Sequence, residues 1–182
     1  MIFGERIRLR AINQDDLPIF VEWLNDPEII RGLMVMLPFS LDDETAWYAE
    51  VRKKPQEEKP LAIEILTEGG WELIGNCGLF GIDWRTRQAE FGIVIGAKQH
   101  WDQGYGTEAL GLMVRHGFGT LNLNRISLRV FADNPRAIRS YEKAGFVHEG
   151  RLREGHYHDG VYVDVLVMSM LRSDWQDGGK KD

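Results

Sequence analysis

The stretch Trp101-Asp102-Gln103-Gly104-Tyr105-Gly106-Thr107-Glu108-Ala109-Leu110 joins a glycine-rich turn directly to a segment of helical periodicity. Beyond the turn, apolar residues recur at helical spacing on one stripe: Leu110, Met113, Val114, Phe118 and Leu121. Gly104 and Gly106 lack the side chains that would keep a bulky anion away from the backbone amides. Because a helix start offers unpaired amides and the positive end of the helix dipole, the sequence predicts a phosphate- or pyrophosphate-binding turn here.

Composition predicts a single domain over residues 1–182, with a core over about 6–172 and a short polar C-terminal tail. The chain has 182 residues and 43% hydrophobic content, enough to bury one core but too little for two. The single Cys77 rules out an internal disulfide, and the first six residues lack the apolar run of a signal peptide. We therefore expect a cytoplasmic protein.

Charge and hydropathy limit the partners of the protein. The formal net charge of -6 argues against a general nucleic-acid binder, because such binding depends on Lys and Arg neutralising phosphates. It is compatible with a cationic substrate. No apolar run reaches the roughly 20 residues that a membrane span requires. We expect neither nucleic acid nor membrane as a partner.

Periodicity and turn signals divide the chain into strands and helices. Alternation predicts a strand at 7–11, and the cap residues Asn13 and Ser40 each precede an amphipathic helix. The later predicted elements are strands at 61–66, 71–82, 89–95 and 125–131, the helix after the glycine turn, a helix from Asn134-Pro135 to Gly145, and a hairpin over 147–171 with its tip at Asp159-Gly160. This order predicts an α+β fold.

Residues 28–39 are expected to be irregular and apolar. Their cluster consists of Met34, Val35, Met36, Leu37 and Phe39. Such a segment either packs as a lid or lines a binding groove, and packing is the commoner role for methionine and aromatic side chains.

Glycine-rich turns of this kind also occur in two nucleotide-binding folds, the dinucleotide-binding fold and the P-loop fold. Gly104-x-Gly106-x-x-Ala109 formally matches the dinucleotide fingerprint, but that motif needs an initial parallel βαβ unit and an acidic residue about 20 positions later. Here hairpin-linked strands come first, and position 124 is Asn124. A P-loop is excluded because no Gly-Lys-Ser or Gly-Lys-Thr follows the turn. The ligand is therefore expected to carry phosphate without being NAD or ATP in their usual sites.

Several segments together resemble the GNAT superfamily of N-acetyltransferases. They are the strand at 89–95, the turn Gln103-Gly104-Tyr105-Gly106-Thr107-Glu108-Ala109, the segment Asn134-Pro135-Arg136-Ala137-Ile138-Arg139-Ser140-Tyr141-Glu142-Lys143-Ala144-Gly145-Phe146, and the ending Glu149-Gly150-Arg151-Leu152-Arg153-Glu154. Within the superfamily the chain is most similar to the branch of ribosomal-protein alanine and spermidine N-acetyltransferases. The resemblance in element order covers essentially the whole chain.

The resemblance implies acetyl-CoA as co-substrate and no metal. It implies a mixed, mostly antiparallel sheet that splays between the strands at 89–95 and 125–132, with pantetheine in the split. The coenzyme contacts that it implies are Ile93, Val94, Ile95, Gln103, Gly104, Tyr105, Gly106, Thr107, Asn134 and Lys143. Two positions depart from the family pattern: Trp101 replaces a Gln or Arg, and Ala137 replaces a frequent Ser. Trp101 is expected either to pack on the coenzyme or to prop the turn.

Acetyl transfer to an amine requires a group that accepts the amine proton. An alkyl amine of pKa about 10.4 is neutral in about one molecule in 2,500 at pH 7, a penalty of roughly 4.6 kcal/mol. Glu90, on the strand expected to flank the acetyl group, is the candidate base, acting directly or through water. The alternative is a solvent-facing strand carboxylate.

The resemblance assigns to Tyr141 the role of general acid toward the departing coenzyme sulfur. A phenol of pKa about 10 gives its proton fully to a thiolate of about 8.5 only at a cost near 2 kcal/mol, so hydrogen bonding comes first. Tyr141 follows Asn134 by two helical turns, which places both on one side of the helix. Asn134 can serve both as helix cap and as coenzyme contact.

Three further sets of chemically suggestive residues have a structural interpretation beside a functional one. Cys77 lies in a predicted strand, where a buried small hydrophobe is the favoured role over an acetyl-cysteine route. His156 and His158 share a strand face but lack a third metal donor, so we expect hairpin or substrate-edge residues. The acidic residues Asp42, Asp43, Glu44 and Glu50 either recruit a polyamine or form a solvated helix face.

Three functions remain in competition on the sequence alone. The first is an N-acetyltransferase acting on a primary amine, either a protein N-terminus or a small polyamine-like molecule. The second is a non-catalytic CoA-binding regulatory module, and the third is a nucleotide-dependent oxidoreductase, which the strand order disfavours. By resemblance, an unpaired strand edge or the C-terminal hairpin is also expected to support a homodimer.

Overall fold

Eight strands form one sheet in the computed structural model, which describes residues 1–35 and 38–175. The strands are β1 (Ile2–Phe3), β2 (Ile7–Ala11), β3 (Leu61–Thr67), β4 (Gly70–Asp83), β5 (Gln88–Ile95), β6 (Arg125–Phe131), β7 (Val147–His158) and β8 (Val161–Leu171). The helices are α1 (Leu17–Leu24), α2 (Pro27–Ile30), α3 (Leu41–Lys53), α4 (Tyr105–Arg115) and α5 (Pro135–Lys143). The strand order is β1-β2-β3-β4-β5-β6-β8-β7.

The predicted α+β class and mostly antiparallel sheet are confirmed. Every pair of neighbouring strands in the described sheet is antiparallel except β5 and β6. The C-terminal hairpin turns at Asp159 and Gly160, whose φ angles of 51° and 81° are the left-handed values that an Asp-Gly turn supplies. Asn13 and Ser40 both complete capping boxes, as their spacing predicts.

The segment expected to be irregular begins with a helix instead. Pro27–Ile30 forms the single turn α2, because the Asp26 side chain accepts from the Glu28 amide and Pro27 occupies the first helical position. Of the apolar cluster predicted in this segment, Met34 is 51% exposed, and Met36 and Leu37 lie outside the described residues. The Asp-Pro signal that ends α1 therefore also starts α2.

The sheet splits between its two parallel strands, as the resemblance implies. β5 pairs with β6 only from Gln88↔Arg125 to Glu90↔Ser127. Beyond that point β5 stays with β4 as far as Ile95, and β6 stays with β8 as far as Phe131. At Gly75 in β4, an added Cβ would lie 2.1 Å from the Val94 carbonyl oxygen, so only glycine permits this close contact. The two strands that border the split are thus each held by the next strand outward in the sheet, β5 by β4 and β6 by β8.

The packed structure extends past both limits of the predicted core, 6 and 172. β1 pairs with β2 through Ile2↔Leu9, and the Trp175 ring lies 5.6 Å from the buried Phe118 ring. Most of the predicted polar tail, residues 176–182, lies outside the described residues. Within the described ranges, no helix has the length and apolar character needed to cross a membrane.

One of the four acidic residues on α3 is not on a solvated face. Asp42, Asp43 and Glu50 are exposed, but Glu44 is only 4% exposed. Burial alone raises the pKa of Glu44 to about 7, since no hydrogen bond or ion pair of this carboxyl is found in the described part of the chain. The interpretation of all four residues as a solvated face is therefore wrong for Glu44.

We expect Glu44→Gln to stabilise the protein above neutral pH. The folded-state pKa of about 7 lies above the ordinary 4.5, so the folded protein keeps a proton that the unfolded chain releases. The carboxyl therefore lowers stability progressively as pH rises through this interval. The Tm difference between the variant and the natural protein should be near zero at about pH 4.5 and reach several degrees above about pH 7.

Thermal melts across this pH range, read by circular dichroism, measure that difference. Asp42→Asn is the matched control, because its side chain is exposed on the same helix. A difference for Glu44→Gln that does not change with pH would contradict a titrating buried carboxyl.

Candidate active site

A cavity of about 390 Å³ opens where β5 and β6 separate. Five segments line it: the end of α2 with the residues after it, the free end of β5, the facing part of β6, the glycine turn with the start of α4, and α5 with its cap. Ile29, Gly32 and Leu33 come from the first of these segments. The segment that the sequence left as either lid or groove therefore contributes to the wall of the cavity.

The glycine turn has the conformation that the sequence predicts. Gly104 has φ 85° and is the N-cap of α4, and this left-handed angle strains any residue with a side chain. The first backbone bond of the helix runs from the Glu108 amide to the Gly104 carbonyl. The amides of Tyr105, Gly106 and Thr107 precede it and have no partner within the helix. All three residues line the cavity, so their amides can receive an anion.

Arg6, from the segment before β2, braces this turn. Its Nη1 donates to the Gln103 carbonyl at 2.9 Å and its Nε to Glu108 Oε2 at 3.0 Å, while its backbone amide donates to Glu108 Oε1 at 2.9 Å. Its guanidinium carbon also lies 4.7 Å from the centre of the Tyr105 ring. No local sequence pattern indicates this brace, because its partners are 102 positions apart.

Trp101 props the turn, one of the two roles expected for it. Its indole Nε1 donates to the Ile95 carbonyl at 2.7 Å, which joins the turn to the last residue of β5. The guanidinium carbon of Arg136 lies 3.7 Å from the centre of the Trp101 ring. Both side chains belong to residues that line the cavity.

The helix α5 brings Asn134 and Tyr141 to the cavity, as the two-turn spacing predicts. The Asn134 side chain accepts from the Ala137 amide at 3.1 Å and so caps the helix. Burial raises the pKa of Tyr141 to about 12, so this phenol keeps its proton throughout the physiological range. Thr107 Oγ1 and Ser140 Oγ are 2.7 Å apart, which ties α5 to the start of α4.

Glu90 lies just before the split and is not among the residues that line the described cavity. Its Oε1 accepts from Arg129 Nε at 2.8 Å and its Oε2 from Arg129 Nη2 at 3.3 Å. Arg129 does line the cavity. Glu90 therefore reaches the cavity through the guanidinium that it holds.

The other chemically suggestive residues have structural surroundings. Cys77 is 1% exposed and burial raises the pKa of its thiol, so it is no ready nucleophile. The His156 ring stacks on Phe131 at 4.3 Å, and His158 lies 3.2 Å from carboxylate oxygens of both Asp133 and Asp159. Across residues 1–35 and 38–175, no group of three or more potential metal ligands is found.

Most of the residues expected to contact the coenzyme line this one cavity. They are Ile93, Val94, Ile95, Gly104, Tyr105, Gly106, Thr107, Asn134 and Lys143. Gln103 does not line it; its side chain donates to the Gln99 carbonyl at 2.8 Å. Arg129, Arg136 and Arg139 line the cavity and were missed, although Arg136 and Arg139 lie inside the segment that carries the resemblance.

The cavity suits an elongated ligand with phosphates at one end. Past Glu90, β5 has no strand partner on the β6 side in the described sheet, so its peptide groups are available to pair with amides. The free amides of residues 105–107 and the cationic side chains of α5, which are Arg136, Arg139 and Lys143, can receive phosphates. Tyr141 supplies a protonated phenol. Together these features define a binding site for an acyl-coenzyme A in a split sheet.

Comparison with known proteins agrees with this assignment. Residues 6–147 match the acetyltransferase (GNAT) domain family. Spermidine N(1)-acetyltransferase of Vibrio cholerae is 32% identical over 170 residues, covering 93% of this chain and 95% of the relative. An N-acetyltransferase of Bacillus licheniformis called p20, described as uncharacterized, is 29% identical over 175 residues, covering 96% and 97%.

A solved structure shows that the similarity extends to the fold. The crystal structure of the Vibrio cholerae spermidine N-acetyltransferase in complex with CoA and spermine superposes with a TM-score of 0.85 at 30% identity, covering 94% of this chain and 98% of that one. The chain belongs to the GNAT acetyltransferase family. It is an acetyl-CoA-dependent N-acetyltransferase related to the spermidine N-acetyltransferases.

We expect Arg6→Gln to weaken coenzyme binding without altering any residue of the cavity wall. Glutamine cannot hold the Gln103 carbonyl and the Glu108 carboxylate together, so the turn loses its brace. Loss of one charge-assisted contact predicts a roughly 5- to 30-fold rise in the Kd for CoA. Isothermal titration calorimetry measures it.

Arg52→Gln is the control, since Arg52 is exposed on α3, away from the turn. An unchanged Kd for Arg6→Gln would show that the glycine turn holds its shape without Arg6.

Proposed function

We propose that the protein acetylates a primary amine of a small, polyamine-like molecule by direct attack of that amine on acetyl-CoA. The observation that carries this proposal is the likeness to the Vibrio cholerae enzyme, whose structure holds CoA and spermine together, over 94% of this chain. The overall charge of -6 favours a cationic acceptor.

Two carboxylates beside the cavity support a cationic acceptor. Asp133 directly precedes the cavity residue Asn134, and Asp159 is at the tip of the C-terminal hairpin. The Arg31 guanidinium lies 4.0 Å from the Asp133 carboxylate and 3.6 Å from that of Asp159. Because these carboxylates already attract one exposed cation, we propose that they also attract the distal ammonium groups of the acceptor.

The reaction forms one N–C bond and breaks one C–S bond. The amine must lose a proton, and the departing thiolate must be stabilised. We propose Glu90 as the group that accepts the amine proton, directly or through water. Both of its oxygens accept from Arg129, so acceptance of a proton requires the guanidinium to release one of them.

We propose that Tyr141 stabilises the departing thiolate as a hydrogen-bond donor. With its pKa at about 12 and a thiol pKa of about 8.5, full proton transfer from the phenol costs about 5 kcal/mol. That cost is larger than the one expected from the sequence, because burial raises the phenol pKa further. A hydrogen bond from an intact phenol avoids this cost and still stabilises the developing negative charge.

The test of the function is release of free thiol from acetyl-CoA with a panel of acceptors. We expect spermine and spermidine to give the highest kcat/KM, and peptides with free N-termini to give little turnover. Tyr141→Phe is the matched variant, since it keeps the ring and removes only the hydroxyl. It should bind CoA normally and lose roughly 10- to 100-fold in kcat.

Two results would count against the proposal. Turnover of N-terminal peptides above that of polyamines would assign a protein substrate, and CoA binding without thiol release for any amine would indicate a regulatory module. Full turnover by Tyr141→Phe would remove the phenol from the mechanism.

We expect Glu90→Gln to change the shape of the pH profile. Glutamine can still accept one hydrogen bond from Arg129 but cannot accept the amine proton. The variant should lose about 100-fold or more in kcat near neutral pH and recover at alkaline pH, where the free amine is more abundant. Measuring kcat and kcat/KM from about pH 6 to 10 with spermidine compares the variant with the natural protein. Parallel profiles would exclude Glu90 as the base.

A homodimer stays a prediction. β7 forms the outer edge of the described sheet, and all but two of its residues are exposed. We propose this edge or its hairpin as the surface through which two copies would associate.

A further inference from the structure

The cavity has a charge opposite to that of the whole protein. Its charged lining residues are the cations Arg129, Arg136, Arg139 and Lys143 and the single acid Asp102, whereas the chain as a whole carries a net charge of -6. Such a local excess of positive charge attracts an anion into a protein that otherwise repels it. The question is which of the four cations is positioned to hold that anion.

Arg136 differs from the other three by its contact with an aromatic ring. Its guanidinium carbon lies 3.7 Å from the centre of the Trp101 ring. Arg129, by contrast, is engaged by Glu90. Arg136 has no ion pair in the described part of the chain, so its charge is not neutralised by a carboxylate. A guanidinium stacked on indole keeps its in-plane N–H donors free, which is the geometry that suits a phosphate.

Trp101 is itself fixed in place. Its indole N–H donates to the Ile95 carbonyl at 2.7 Å, at the end of the strand edge that faces the split. The ring therefore cannot rotate without giving up this bond, and Arg136 rests on an anchored surface. A glutamine or arginine at position 101 would provide no such surface, and this is the position at which the chain departs from the family pattern.

We propose that Trp101 is a positioning residue that holds Arg136 as the phosphate-binding cation of the coenzyme site. The inference rests on the acetyl-CoA dependence of the enzyme and assigns roles to two residues of this chain. Coenzyme A offers two kinds of phosphate, the diphosphate and the 3′-phosphate, and Arg136 binds one of them. The aromatic stack limits the freedom of the guanidinium before the coenzyme arrives, so less entropy is lost on binding.

The experiment is calorimetric titration of CoA and of 3′-dephospho-CoA into the purified protein. The variants are Arg136→Gln, Trp101→Leu, Trp101→Phe and the double variants Trp101→Leu/Arg136→Gln and Trp101→Phe/Arg136→Gln. Arg115→Gln is the control, because Arg115 is exposed at the end of α4 and does not line the cavity. Thermal melts verify that each variant is folded.

Arg136→Gln should raise the Kd for CoA roughly 10- to 100-fold and reduce its dependence on salt. Trp101→Leu should raise the Kd by a smaller factor, and Trp101→Phe should raise it less than Trp101→Leu because it keeps an aromatic face. Both substitutions lose the indole bond that fastens the turn, so the difference between them measures the aromatic face alone, and this difference should vanish in the Arg136→Gln background. If the Arg136→Gln effect vanishes with dephospho-CoA, the 3′-phosphate is the ligand; if it persists, the diphosphate is.

Three results would overturn the inference. A Kd for Arg136→Gln within twofold of the natural protein would show that Arg136 holds no phosphate. A difference between Trp101→Phe and Trp101→Leu that persists in the Arg136→Gln background would show that the aromatic face acts independently of Arg136. Equal losses for Trp101→Phe and Trp101→Leu would show that the aromatic face is not what matters. A natural protein that binds no CoA at all would instead refute the coenzyme dependence itself. Arg136→Gln changes a side chain at the cavity surface, so this arm decides the question even if Trp101→Leu fails to fold.

Discussion

The structure depends on the separation of two neighbouring parallel strands after only three paired positions. A parallel pair normally continues, because ending it leaves peptide groups without partners. Here β5 remains paired with β4 and β6 remains paired with β8, so each strand is satisfied on its outer side while the inner sides diverge. The unpaired inner edge of β5 is therefore available to a ligand that has amides of its own.

The glycine turn is held by three contacts with other parts of the chain. Arg6 contacts its carbonyl and the first turn of α4, Trp101 fastens it to the end of β5, and Ser140 ties that helix to α5. Amides that bind an anion strongly must already point in the right direction, because reorienting them would consume binding energy. The rigidity comes from these side-chain contacts, and the glycine sequence alone supplies only the backbone angle.

The acidic residues show that burial and hydrogen-bond partners determine the properties of a carboxylate. Glu44 and Asp42 lie two positions apart on α3, yet only Glu44 is enclosed and has its pKa raised to about 7. Glu90, the candidate base, is engaged by Arg129 beside the cavity. Helical spacing could have indicated that Glu44 faces the same side as Tyr48 and Val51, but no pattern along the chain could place Arg129 next to Glu90.

The sequence by itself determined the α+β order, the caps, the hairpin tip at Asp159-Gly160 and the glycine turn at the start of α4. These features are local: each depends on side-chain periodicity or on backbone angles within a few residues. Only the tertiary structure decided at which residue β5 and β6 separate and which side chains meet. It brings Arg6 to Glu108 and Arg136 to the ring of Trp101, and it joins the Gln103 side chain to the Gln99 carbonyl. These contacts join residues up to 102 positions apart, and their geometry is set by how the sheet twists and how the helices pack on it.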